Sequence, residues 1–182
     1  HALCLNQIID SEVFMEKSTF EAIARNLDNR LYSGGLHFLI GITGTGKSSI
    51  CEIIQKNNKS DAVYFDVQAD HSIENYANLV EKINLTNKHI VIDGLVIFKE
   101  PGNKVLDALV KHVHIKKMGA LILTQSFDDL SYEHINASSS VSLISNLYPR
   151  EISNVYLHSV DIKNDINEKY RSLTEFWIKY SR

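Results

Sequence analysis

The chain has 182 residues, 44% of them apolar and 23% charged, with a formal net charge of −3; that is ordinary single-domain length, enough to bury a core. The balance gives no basic footprint of the kind static nucleic-acid binders use. No apolar run is long enough to cross a bilayer, and the start lacks the basic-then-apolar layout of a signal peptide. The expectation is one domain over 1–182 in the cytoplasm, with Cys4 and Cys51 too far apart for a metal or redox spacing.

In chain order, Ser18-Thr-Phe-Glu21 reads as a capping box opening a helix whose apolar face uses Phe20, Ile23, Ala24 and Leu27, part of a helical lead-in over about 1–34. Gly35-Leu-His-Phe-Leu-Ile40 is a short apolar run that fits a buried strand. A glycine-rich segment follows, and Ser49 to Gln55 continues as helix. Lys56 to Asp61 is a polar connection, Ala62-Val-Tyr-Phe65 a strand ending at Asp66, and a helix is predicted near Ile73 to Ile83. His89-Ile-Val-Ile92 is the next strand, ending in Asp93-Gly94. Pro101-Gly102 predicts a break before a helix from about Lys104 to Lys117, with Val105, Leu106, Leu109, Val110 and Val113 on one face and Gly119 as its stop. Ala120-Leu-Ile-Leu123 is a strand running into Thr124-Gln125-Ser126. Val155-Tyr-Leu157 reads as a fifth strand, and a terminal amphipathic helix at about 163–182 carries Leu173, Phe176, Trp177 and Tyr180. Strands alternating with helices predict a mainly parallel sheet covered on both faces, with the ligand site at the carboxyl ends of the strands.

The segment Gly41-Ile-Thr-Gly-Thr-Gly-Lys-Ser48 matches G-x-x-x-x-G-K-S/T in full, between a strand and a helix. Glycines at 41, 44 and 46 let backbone N–H groups curl around phosphate oxygens, and the following helix turns its positive end to the same group. Gly41, Ile42, Thr43, Gly44, Thr45, Gly46, Lys47, Ser48 and Ser49 are thus the expected nucleotide-binding residues. Lys47 is assigned to the β- and γ-phosphates, and the Ser48 hydroxyl to Mg²⁺, a hard cation that prefers oxygen and keeps several waters.

Asp93 closes an apolar strand, where a carboxylate can hold the hydration shell of an Mg²⁺ bound through Ser48, the Walker-B role. The plainer reading is an Asp opening an Asp-Gly turn. Asp66 is a candidate for a second metal-shell carboxylate or for the base that polarises attacking water, and Asp70 and Glu74 are weaker candidates of that kind. Gln125 falls one residue beyond a strand expected beside the phosphate loop, where an amide can orient water or simply satisfy loop backbone. Arg150 is one of five arginines and can serve as a finger toward a neighbouring subunit or lie on the surface. His112 and His114, two apart on a helix, make no i,i+4 metal pair and read as solvated.

Taken together, Leu36 to Ser48, Ile90-Val-Ile-Asp93 and Gly119-Ala-Leu-Ile-Leu-Thr-Gln-Ser-Phe-Asp-Asp-Leu130 resemble the strand and phosphate loop, Walker B and sensor strand of the FtsK/HerA/TraG/TraD motors. The pilus and secretion ATPases of the PilT/GspE type are the close rival, although their histidine-containing motif is absent and Phe65-Asp-Val-Gln68 matches their acidic box poorly. The resemblance implies a RecA-like α/β P-loop NTPase that binds ATP and Mg²⁺, with Gln125 as the sensor glutamine. It implies hexameric rings that move DNA or serve type IV secretion and conjugation, with DNA or secretion machinery as partners, at the inner face of a membrane in some cases. One departure is Gly94, where those motors carry a catalytic Glu directly after the Walker-B Asp. Hydrolysis then depends on Asp66 or Glu100, or is slow or lost. A small-molecule kinase and a poorly hydrolysing accessory subunit remain as alternative readings.

Overall fold

The structure, a computed structural model, describes residues 13–17, 20–41, 45–97, 100–125, 132–144 and 151–156. Seven strands form one sheet: β1 (Val13–Lys17), β2 (Gly35–Ile40), β3 (Val63–Asp66), β4 (Ile90–Asp93), β5 (Gly119–Thr124), β6 (Ser140–Ile144) and β7 (Glu151–Tyr156), in the order β1-β7-β6-β2-β5-β4-β3. The run β6-β2-β5-β4-β3 is parallel throughout, whereas β7 pairs antiparallel with both β6 and β1. Among the described residues five helices accompany the strands: α1 (Phe20–Ser33), α2 (Lys47–Asn57), α3 (Ile73–Leu85), α4 (Glu100–Lys116) and α5 (Tyr132–Ala137). The α/β class and the mainly parallel sheet are those expected from the sequence.

Side-chain alternation sorts the strands into two cores. Leu36, Phe38, Ile40, Ile90, Ile92, Ala120 and Ile122 pack with Tyr76, Leu79 and Ile83 of α3 and Val105, Leu106 and Leu109 of α4. On the other face, Leu39, Val91, Leu121, Leu123 and Ile144 meet Ile23, Ala24, Leu27 and Leu31 of α1 and Ile50 and Ile54 of α2. With helices on both faces, the central parallel strands must be apolar in continuous runs rather than alternately. β5 accordingly has all six residues buried. Each fully buried Leu, Ile or Phe contributes about 1.5–3 kcal/mol of hydrophobic stabilisation before entropy is counted.

Several expectations need correction. β1 lies inside the segment expected to be a helical lead-in, and α1 begins at Phe20, so Ser18 and Thr19 of the expected capping box fall outside the described residues. The expected strand around Val155 is present as β7 but runs antiparallel, and the strand that extends the parallel run is β6, which the sequence hides among serines. Ser140 and Ser142 sit inside because each has a partner: Ser140 Oγ donates to His37 Nδ1 at 2.7 Å, and Arg30 Nη1 donates to Ser142 Oγ at 3.0 Å. His37 completes its pairing with Nε2–H to the Gly34 carbonyl at 2.8 Å, which lets a histidine occupy a buried strand. Pro101-Gly102 does not break the chain but sits in the first turn of α4. Proline there forfeits only an N–H that has no intrahelical partner, and a Cβ on Gly102 would stand 2.0 Å from the Val96 carbonyl. Gly119 is not the stop of α4 but the first residue of β5; the helix ends at Lys116, followed by Lys117 at φ 58°. The expected terminal helix at 163–182 and the capping serine are not among the described residues.

His112 is a further correction: it is buried at 3% exposure rather than solvated, while His114 is exposed. Its Nε2 is 2.7 Å from the Lys88 carbonyl, which can only accept, so Nε2 carries the proton and the buried Nδ1 is left without a hydrogen-bond partner. Burial therefore pushes the imidazole below its ordinary pKa, only partly offset by the bond to Lys88. Stability contributed by the neutral ring is complete above the unfolded value near about 6.5 and is lost as pH falls through it toward the depressed folded value. Thermal melts from pH 7.5 to 5.5 are expected to show a falling Tm in the parent and a shallower fall in His112→Gln; parallel slopes would remove His112 from the acid response.

Candidate functional site

Because the five central strands are parallel, their carboxyl ends share one edge of the sheet, where a topology of this kind opens a crevice. β5 lies between β2 and β4 and ties their ends together through its backbone. Gly41 N–H donates to the Thr124 carbonyl at 3.1 Å, and Gly94 N–H donates to the Leu123 carbonyl at 3.0 Å. Thr124 Oγ1 donates to the Leu95 carbonyl at 2.8 Å, and Val67 N–H to the Asp93 carbonyl at 3.0 Å. The phosphate-loop entry, the Asp93-Gly94 turn and the end of β3 are thereby fixed against one another.

Four side chains meet here. Lys47, the first residue of α2, is buried at 9% exposure and donates through Nζ to the Gly41 carbonyl. Ser48, one residue on, points its hydroxyl at Asp93, with Oγ 3.0 Å from Oδ2. Gln68 reaches the same carboxylate, Nε2 to Oδ2 at 3.0 Å, and its Oε1 lies 3.4 Å from Ser48 Oγ. Asp93 itself is buried at 8% exposure. Desolvation raises its pKa, the Ser48 hydroxyl opposes that, nearby Asp66 adds to it and Lys47 opposes it again. Lys47 is lowered by its own burial, against the pull of Asp93. Burial thus pushes both groups toward their neutral forms, while the acid and the amine each favour the charged form of the other.

The other expected residues fall as follows. Thr45 is fully buried at the foot of the loop, Gly46 precedes α2 with φ 95°, and Ser49 is exposed. Ile42, Thr43 and Gly44 lie outside the described residues, as do Ser126 and Arg150. Asp66 is the register partner of Asp93 across β3 and β4, exposed, with Oδ1 accepting the Gln68 N–H at 3.0 Å. Asp70 accepts the Ser72 N–H at 2.9 Å, a bond that holds its carboxyl below the usual range, so it serves the lead-in to α3. Ser72 Oγ in turn caps α3 by accepting from Asn75 N–H at 3.1 Å, and Glu74 sits in that first turn. Gln125 is exposed directly beyond β5. Gln68 is the site residue that sequence reasoning missed; it belongs to no motif, and the one available signal was the bare Gly94.

Ser48 and Asp93 offer hard oxygen donors 3.0 Å apart, one of them a buried carboxylate, and this donor chemistry fits Mg²⁺. Among the described residues no group of three or more His, Cys, Asp or Glu side chains gathers as a metal cage. Cys51, buried behind the site on α2, is no nucleophile: burial first, then Asp93 and other carboxylates, pushes its thiol up to about 12.

No protein family and no curated protein matches this chain. Solved structures do. The genome packaging NTPase B204 of Sulfolobus turreted icosahedral virus 2, in complex with ATP-gammaS, matches at 14% identity over 63% of this chain and 76% of its own, with a TM-score of 0.45. The Legionella pneumophila ATPase DotB matches at 10% identity over 81% of this chain, with a TM-score of 0.49, and this chain spans only 53% of its length. The E. coli MS115-1 HORMA:CdnC:Trip13 complex contains a chain at 12% identity, 79% of this chain and 61% of that one covered, TM-score 0.46.

Proposed function

We propose that this chain is a P-loop domain that binds ATP with Mg²⁺ and hydrolyses it, as a motor domain powering transfer of DNA or protein. The observation that carries the reading is the Ser48–Asp93 pair at 3.0 Å, set beside buried Lys47 at the carboxyl edge of a parallel sheet. Lys47 would neutralise β- and γ-phosphate charge, and Ser48 and Asp93 would hold the cation. When bound, the cation supplies further neutralisation of the charge that develops on the phosphoryl oxygens. Asp66, on the strand next to Asp93, is the acceptor for a proton of the attacking water. Glu100 fits less well, being at the start of α4 and 3.5 Å from Lys104. Gln125, exposed just beyond β5, the strand between β2 and β4, orients that water or registers the γ-phosphate in this reading.

The motor role, a hexameric ring, DNA or secretion-machinery partners and a cytoplasmic location rest on the resemblance to the FtsK/HerA/TraG/TraD motors. Among the described residues no helix is long and apolar enough to cross a membrane. Gly94 favours a second reading, a nucleotide-binding subunit that hydrolyses poorly. Phosphate release from MgATP without any acceptor, measured over a range of protein concentrations, separates the two. Turnover that rises with concentration supports an assembling motor; tight binding without turnover leaves the passive subunit, and no binding removes both.

A further inference from the structure

Gln68 and Gly94 fit together as one unit. Gly94 has φ +87°, and a Cβ built there would stand 2.4 Å from Gln68 Cγ and 3.0 Å from its Cα, so the Gln68 stem occupies the space a side chain at 94 would need. From that position the carboxamide donates to Asp93 Oδ2 at 3.0 Å, the same oxygen that accepts Ser48 Oγ–H at 3.0 Å. The backbone around Gln68 is pinned as well, its own N–H to Asp66 Oδ1 at 3.0 Å and the preceding N–H of Val67 to the Asp93 carbonyl at 3.0 Å.

We propose that Gln68 is a positioning residue for the divalent cation: admitted by the bare Gly94, it orients the Asp93 carboxylate and the Ser48 hydroxyl that receive a nucleotide-bound metal. The inference rests on the nucleotide reading above. A neutral amide suits the task, because it donates to a desolvated carboxylate without adding a second negative charge beside it. Partners of this kind, one bond away from the metal ligands, typically change metal affinity or activity 10–100-fold when removed. Gln68 is exposed, so its truncation leaves the cores untouched.

The test compares the parent with Gln68→Ala and Gln68→Glu, using a fluorescent ATP analogue titrated with Mg²⁺, binding of the same analogue in EDTA, and phosphate release. Gln68→Ala is expected to raise the Mg²⁺ concentration for half-maximal binding about 10-fold or more, with metal-free binding and Tm unchanged. Gln68→Glu, the same shape without the donor, is expected not to restore it. A parent that binds MgATP with the same Mg²⁺ requirement, within about twofold, in both variants overturns the role of Gln68 and leaves the nucleotide reading standing. A parent that binds but does not turn over tests the role through the Mg²⁺ titration alone, and a parent that binds no nucleotide overturns both. A Gln68→Glu variant faster than the parent overturns positioning in favour of a base at this place.

Discussion

Lys47→Met is expected to abolish phosphate release from MgATP while leaving the fold intact. In the proposed reading the ammonium neutralises charge that grows on the phosphate during transfer, and removing one preorganised electrostatic group of this kind costs about 10²–10³ in turnover. The fold is spared for a different reason. Lys47 is buried at 9% exposure, and its pKa is depressed by desolvation despite the nearby Asp93 carboxylate, so its charge is held against solvation rather than supporting the sheet. Methionine fills nearly the same volume without that cost. Asp93 loses one cation but keeps the Ser48 and Gln68 donors at 3.0 Å each. Tm should therefore stay within about 4 °C, which is roughly 1 kcal/mol for a domain of this size. Phosphate release and a thermal melt on the same preparation check it; retained turnover would remove Lys47 from the chemistry, and a lost fold would make it structural.

How much of this was legible in the sequence depends on whether a residue's neighbours are local. That Lys47, Ser48 and Asp93 come together was legible because the loop and its helix are contiguous in the chain and Asp93 closes an apolar strand at the same edge of the sheet. The central strands were legible as short apolar runs, since helices on both faces leave them no polar side. β6 was not, because Ser140 and Ser142 look like loop until His37 and Arg30, more than a hundred residues earlier in the chain, are seen to satisfy them. The same holds for His112, whose burial is explained by the Lys88 carbonyl in the connection between α3 and β4. Pro101-Gly102 misled because the pair means a break in general but an opening turn here. Gln68 needed two facts from different strands, the end of β3 and the turn after β4, and no single-segment pattern joins them.

Gly94→Glu introduces an acidic residue directly after Asp93, and it is expected to reduce both stability and turnover rather than improve either. With φ at +87°, any L side chain at 94 meets backbone strain of about 1–3 kcal/mol. A Cβ there also stands 2.4 Å from Gln68 Cγ and 3.1 Å from Gln68 N, and the backbone nitrogen has little room to retreat because Asp66 Oδ1 holds it at 3.0 Å. Strain of that size lowers Tm by about 2–12 °C in a domain of this length. Relief comes chiefly by expelling the Gln68 side chain from Asp93 Oδ2, and the new carboxylate then faces Asp93, already raised in pKa by burial and by Asp66. Gly94→Ala separates the contributions: it carries the strain and the contact with Gln68 without the charge, so it should share the fall in Tm and lose less turnover than Gly94→Glu. Melting curves and MgATP turnover for the two variants decide the matter. An unchanged Tm with faster hydrolysis in Gly94→Glu would mean that the turn re-forms around a side chain at 94 and that the bare glycine is a lost catalytic residue rather than the space Gln68 requires.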